Sequence, residues 1–394
     1  MEFETWWLLA IPLFFGLGWL AARLDSRGSP KVTGELPDAY FRGLNFLLNE
    51  QPDKAIDAFI DVVRLDPETV ELHFALGNLF RRRGETDRAI RVHQNLAERT
   101  DLDSAQREHA VFELGQDYLR AGLLDRAEDA FNRLEGSGYG AAALRHRLSI
   151  AQMVRDWPQA IALALRLQTD TGESLGREIA HFHGEIAARA LADSGPQRLE
   201  VAAREIAAAR AADKSHPRAS LLAGELALAE ADPAAAIAAW QEVLDAQPAY
   251  AALFATGWLR AHESLGELPR GLAALEAAHR AHPGVDTLAA IADALVSAQG
   301  PTQALHWADE QLRSQPSLLG LEKLLGLRRA VAGEAEQSDL ALIQRLITPQ
   351  ARRLSRYVCT NCGFKARQFY WQCPGCSRWD TYAPRRGEEL EAGR

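Results

Sequence analysis

The residues best equipped for site chemistry lie close to the C-terminus. All four cysteines, Cys359, Cys362, Cys373 and Cys376, fall within YVCTNCGFKARQFYWQCPGCSRW, residues 357–379. They form two C-x-x-C pairs separated by ten residues. Each pair can place two thiolates on one ion, and the loop between them is long enough to fold back. That arrangement suits a tetrahedral sulfur-ligated metal with bonds of about 2.3 Å. Four thiolates leave no open coordination position, so the ion is expected to be structural, and zinc and iron fit equally well. The competing chemistry is a redox dithiol in each pair. With no cysteine elsewhere, the set fits a reducing compartment better than a disulfide scaffold. Gly363 and Pro374-Gly375 supply the turns, and Gly363 is expected to aim its N–H at a sulfur. Tyr357, Phe364, Phe369, Tyr370, Trp371, Trp379 and Tyr382 are expected to fill a ribbon too small to fold unaided.

Other candidate chemistry is sparse. The sequence holds no phosphate-binding lysine loop, no H-E-x-x-H and no G-x-S-x-G. Gly136–Gly140 looks like a glycine loop but lacks a following Lys-Ser/Thr, so it is read as a turn between helices. His181 and His183 stand two apart on an expected helix and are read as ordinary packing or surface positions. Arg81–Arg83 closes a helix, where positive charge suits the helix dipole, with a partner contact as the alternative. No enzymatic activity is expected.

The elements that must carry the knuckle repeat along the chain. Gly43, Phe46, Ala55 and Phe59, in a unit closed by Pro67, recur 34 residues on as Gly77, Phe80, Ala89 and His93. They return again as Gly115, Tyr118, Ala127 and Phe131. This is the spacing of the tetratricopeptide repeat. Glycine or alanine lets two helices approach closely, an aromatic fills the space between them, and proline ends the second helix. Ala160 continues the period. Gly224, Ala236, Trp240 and Pro248 restore it, and Ala304, Pro283 and Pro316 mark later units. About eight helical pairs are expected from Leu36 to Pro316, with one more from Leu318 to Leu346 as a cap. The fold expected is mainly α, a right-handed solenoid whose concave face binds peptides or proteins, with no strand before the knuckle.

At the N-terminus, TWWLLAIPLFFGLGWLAA (5–22) carries no charge. Its 18 residues reach the short end of a membrane-spanning helix. Glu2 and Glu4 precede it, and Arg23, Arg27 and Lys31 follow. A cleaved signal peptide would show the reverse charge order, so an uncleaved anchor is expected, with the bulk of the chain on the cytoplasmic side. Net charge is −9, but residues 351–386 hold eight basic residues and one acid. A basic, aromatic ribbon also admits nucleic-acid binding as the alternative function.

Taken together, the chain resembles the lipopolysaccharide assembly protein B family of Gram-negative bacteria. The carriers are Asn45-Phe-Leu-Leu48, LGNLFRRRGETDRAIRVHQ from Leu76, GLLDRAEDAFNRL from Gly122, EIAHFHGE from Glu178, and CGF…YWQCPGC in the knuckle. The resemblance implies an anchor (1–24), a linker (25–35), a tetratricopeptide array with capping helices (36–350), a rubredoxin-like metal domain (351–384) and a tail (385–394). It implies a non-enzymatic, single-pass inner-membrane adaptor that presents the deacetylase LpxC to the membrane protease FtsH, and that gathers other lipopolysaccharide assembly proteins. It carries over Cys359, Cys362, Cys373 and Cys376 as ligands of one ion, iron by likeness to rubredoxin. The knuckle is expected to fold independently of the array and to present its aromatic, basic face outward.

Overall fold

The computed structural model describes residues 38–49, 51–65 and 69–391, together with Leu17 and Trp19. Apart from those two positions, the expected anchor lies outside the described residues, as do the linker and Pro67. Among the described residues, no helix is long and apolar enough to cross a membrane.

The described chain divides into two compact units, one ending at Tyr139 and the other beginning at Gly140. The first holds three helical hairpins: α1 (Asp38–Leu48) with α2 (Pro52–Leu65), α3 (Val70–Arg83) with α4 (Thr86–Glu98), and α5 (Ser104–Arg120) with α6 (Leu124–Asn132). The second continues with α7 (Gly140–Val154) and α8 (Trp157–Thr171), α9 (Gly176–Ala192) and α10 (Arg198–Ala212), and α11 (Pro217–Ala229) and α12 (Pro233–Ala246). Next come α13 (Ala251–Ser264) and α14 (Leu268–Ala281), α15 (Val285–Gln299) and α16 (Pro301–Ser314), and α17 (Leu318–Val331) and α18 (Glu334–Leu354). Beyond them lie β1 (Tyr357–Val358), β2 (Lys365–Ala366) and a short α19 (Gly387–Glu391). These two strands are the only ones among the described residues.

Local chemistry sets the hairpins. Asp156 and Asp232 accept hydrogen bonds from Gln159 N and Ala235 N, which caps α8 and α12, and Pro158 and Pro233 sit in their first turns. Gly84, at φ 83°, closes α3 in the left-handed region. The small residues picked out by the repeat spacing all vanish from the surface: Ala55, Ala89, Ala127, Ala160, Ala236 and Ala304 are each 0% exposed. The opposite partner is equally specific. A Cβ on Gly224 would lie 2.2 Å from Trp240 Nε1, and that indole, 1% exposed, donates to Leu221 O at 3.1 Å.

In the first unit, Arg81 does more than neutralise a helix end. Its guanidinium reaches across to α5, pairing with Glu113 and, at 2.9 Å, with Asp117. Asp117 is fully buried and also meets His93 Nδ1, so the two hairpins share one buried polar tie. The Asp117 carboxylate is satisfied on both sides, which makes its burial tolerable. Arg83 pairs with Asp53 and Glu85.

Candidate metal centre and its seat on the repeats

The knuckle is built from a two-residue ladder and two turns. Tyr357 and Val358 pair antiparallel with Ala366 and Lys365, and bridges join Cys359 to Tyr382 and Gln372 to Trp379. These pairings bring the two C-x-x-C turns face to face. Cys359 and Cys373 are buried, Cys376 is half-buried and Cys362 is exposed. The four sulfurs lie within 4.8 Å of one another. Cys359 Sγ is 3.8 Å from Cys376 Sγ, and Cys362 Sγ is 3.7 Å from Cys373 Sγ. A disulfide needs about 2.05 Å. A tetrahedron with metal–sulfur bonds of about 2.3 Å has edges of about 3.8 Å. The cluster therefore suits one tetrahedral ion.

Backbone amides support the sulfurs: Cys362 N–H donates to Cys359 Sγ at 3.5 Å and Gly375 N–H to Cys373 Sγ at 3.4 Å. Gly363 does take positive φ, 74°, but its N–H donates to Cys359 O at 2.9 Å and not to sulfur. The left-handed residue closes the turn, and its neighbour's amide meets the thiolate.

The aromatic residues divide in a way their spacing did not reveal. Tyr357, Cys359, Ala366, Cys373 and Tyr382 form the knuckle's own core, with Phe369 and Tyr370 against it. Trp371 and Trp379 face the repeats instead. Trp379 packs edge-on to Trp157 and Phe182, stacks on His181 at 4.4 Å, and donates from Nε1 to Gln152 Oε1 at 3.0 Å. Trp371 stacks on Tyr250 at 5.5 Å, and Arg218 lies over its ring. The expectation of an outward aromatic face is corrected for these two indoles, which meet the repeats. Two indoles that a small ribbon cannot cover for itself are half-buried against α7–α9 and the α12–α13 connection.

Charge reinforces this joint. Asp380 receives Arg177 Nε at 2.6 Å and pairs with His181 Nε2 at 2.9 Å. His181 was expected to be a packing or surface residue; it is fully buried and meets His216 Nε2 at 3.1 Å. His183, pointing elsewhere, pairs with Glu205. Burial pushes the His216 imidazole down to about 3, helped by the adjacent His181 ring. Burial lowers His181 as well, against the pull of Asp380. Burial alone would raise the Asp380 carboxyl, but His181 and Arg177 bring it down to about 2.

A second set of ties lies at the other side of the knuckle. Arg386 grips Asp286 with two nitrogens, at 2.8 and 2.9 Å, lies over the Tyr357 ring, and donates to Ser355 O and Arg367 O. Tyr357 donates its hydroxyl to the same aspartate at 3.0 Å. In α19, Glu389 accepts from Val285 N at the start of α15, and Glu388 accepts from Leu318 N and Leu319 N at the start of α17. Both carboxylates satisfy amides that open a helix. Sequence reasoning missed Arg177, His216, Asp286, Asp380 and Arg386. The one available signal was the density of charge close to the cysteines, whose partners are distant in sequence.

Fold and site together define a class: a tetratricopeptide-repeat protein bearing a C-terminal, rubredoxin-type four-cysteine domain. The family described as rubredoxin metal binding domain matches residues 357–384, and the tetratricopeptide repeat family matches residues 42–103. Lipopolysaccharide assembly protein B of Escherichia coli K12 is 35% identical over 383 residues, covering 96% of this chain and 97% of that protein. The Haemophilus influenzae protein of the same name is 27% identical over 393 residues, covering 97% and 98%. The chain belongs to the lipopolysaccharide assembly protein B family. Overlap with a solved tetratricopeptide repeat protein from Parabacteroides merdae is loose, at 11% identity and a TM-score of 0.27, covering 78% of this chain and 98% of that one.

Proposed function

We propose that this protein is a non-catalytic adaptor in lipopolysaccharide assembly. It holds the deacetylase LpxC for degradation by the membrane protease FtsH and gathers other assembly proteins beside them. Residues 5–22 anchor it in the inner membrane, and the repeats and knuckle work on the cytoplasmic side. The observation that carries this reading is the end-to-end match to lipopolysaccharide assembly protein B, 35% identical across 96% of the chain.

Cys359, Cys362, Cys373 and Cys376 hold one iron or zinc ion, whose role is to fix the shape of the knuckle. Four sulfur ligands leave no place for a substrate. With the metal bound, the chain's own residues do the rest: Trp371, Trp379 and Asp380 seat the knuckle on α9 and its neighbours. The same packing engages both indoles with the repeats, which leaves less of them for the base stacking that the nucleic-acid alternative requires.

Depleting the protein in its native host and following LpxC after a block in protein synthesis tests the adaptor role. The deacetylase half-life is expected to lengthen several-fold and lipopolysaccharide to rise. An unchanged half-life would remove the proteolytic role.

A further inference from the structure

Outside the cysteine knuckle, a second set of metal-ligand side chains meets where the knuckle sits on the repeats. His181 comes from the middle of α9, His216 from the residue that opens α11, and Asp380 from the loop after Trp379. One ligand atom from each lies within 4.8 Å of the other two. The two imidazoles approach through Nε2 at 3.1 Å, and His181 Nε2 is 2.9 Å from Asp380 Oδ2.

Hydrogen bonding alone serves this arrangement poorly. If His181 Nε2 carries a proton, that single proton faces both the carboxylate and the lone pair of His216. If the proton sits on His216 Nε2, the His181 lone pair faces an anionic carboxylate. Either way, a single hydrogen has to serve three converging polar atoms, and one close approach is left shared or between two lone pairs. The remaining polar atoms gain nothing in return. His181 Nδ1, His216 Nδ1 and Asp380 Oδ1 are buried with no hydrogen-bond partner among the described residues. A buried polar group left without a partner is destabilising.

We propose that His181, His216 and Asp380 bind a divalent first-row transition metal ion at the joint between the knuckle and the repeats. An ion about 2.1 Å from each ligand atom would see both close edges at roughly 90°, the angle between neighbouring ligands of an octahedral ion. Two imidazoles and one carboxylate, with the other positions left to water, suit iron(II), cobalt(II), nickel(II) or zinc. Both imidazoles are held neutral and the carboxylate anionic, so no proton has to be displaced at neutral pH.

The neighbouring charges do not forbid a cation. Arg218 is neutralised by Glu185 at 2.8 Å and Asp213 adds a further carboxylate to the field at His216, while Arg177, 2.6 Å from Asp380 Oδ2, would share that oxygen with the ion. A cleft of about 520 Å³, lined in part by Arg145, Gln152, Glu178 and Arg378, opens onto His181 and Asp380 and gives an ion a way in. Because one ligand belongs to the knuckle and two to the repeats, the ion would join them directly.

The test uses the full chain with zinc in its knuckle, titrated with cobalt(II) alone. The expected result is one cobalt per chain, with weak d–d absorption and none of the intense sulfur-to-cobalt charge-transfer bands that mark entry into the knuckle. Zinc content should stay constant. His216→Ala and Asp380→Asn should each abolish the weak bands or weaken cobalt binding at least tenfold. Among the described residues His216 hydrogen-bonds to His181 and meets the knuckle only through a ring contact with Trp371 at 6.0 Å, and circular dichroism on that variant checks that the helices persist. Wild-type chain that takes up no cobalt, or takes it up only with thiolate bands, overturns the proposal. So does equal uptake by wild type and a folded His216→Ala chain; in that event the cluster is a hydrogen-bonded contact only.

Discussion

At the scale of single residues, the joint turns on groups that water would normally claim. His216 and His181 are buried neutral, while in the unfolded chain they titrate near 6.5. Below that pH the unfolded chain takes up protons that the folded joint refuses, so these residues make stability fall as pH drops from about 7 to 5. Asp380 acts in a different window. Its depressed carboxyl contributes stability above about 4 and loses it only as pH falls toward 2. Urea unfolding of the wild-type chain and of His216→Gln, at pH 7.5 and 5.5, isolates the histidine part. The wild-type midpoint should drop more on acidification than that of the variant. Parallel shifts in the two would show that His216 carries no linked proton. Protonation of the cysteine cluster affects both chains alike and cancels in the comparison.

At the scale of elements, the repeat depends on matching a void to a side chain. Gly224 leaves the space that Trp240 fills. Gly224→Ala should cost about 1–3 kcal/mol through overpacking. Trp240→Leu should remove much of that penalty, although on its own it opens a cavity. Thermal melts of the two single variants and the double variant give the coupling directly, and simple additivity would contradict the steric account. This pairing was legible in the sequence, because glycine, alanine and aromatic recur at fixed spacing and each pair is local. The thiolate cluster was legible for the same reason. The seat of the knuckle was not. Trp371 and Trp379 sit among five other aromatics, and nothing local distinguishes an indole that fills its own domain from one that fills a neighbour. Arg386 read as part of a charged tail, because its partner Asp286 lies 100 residues away.

At the scale of the molecule, the cysteine domain and the helices from Gly140 onward belong to one compact unit. Cys373→Ser, or removal of the metal by a chelator, should loosen the knuckle and carry part of that unit with it. Amide hydrogen exchange should rise at residues 177–181, 216–218 and 250, while residues 70–132 keep their protection. Protection unchanged at all of these positions would restore an independent end domain. The distances along the chain have one more consequence, for synthesis. Gln152 waits 227 residues for Trp379, and His181 waits 199 for Asp380. During translation the helices around Trp157 and Phe182 are complete long before the surface that covers them has been made. A nascent or prematurely ended chain therefore displays an uncovered aromatic patch that the finished protein hides, and only full-length product conceals it.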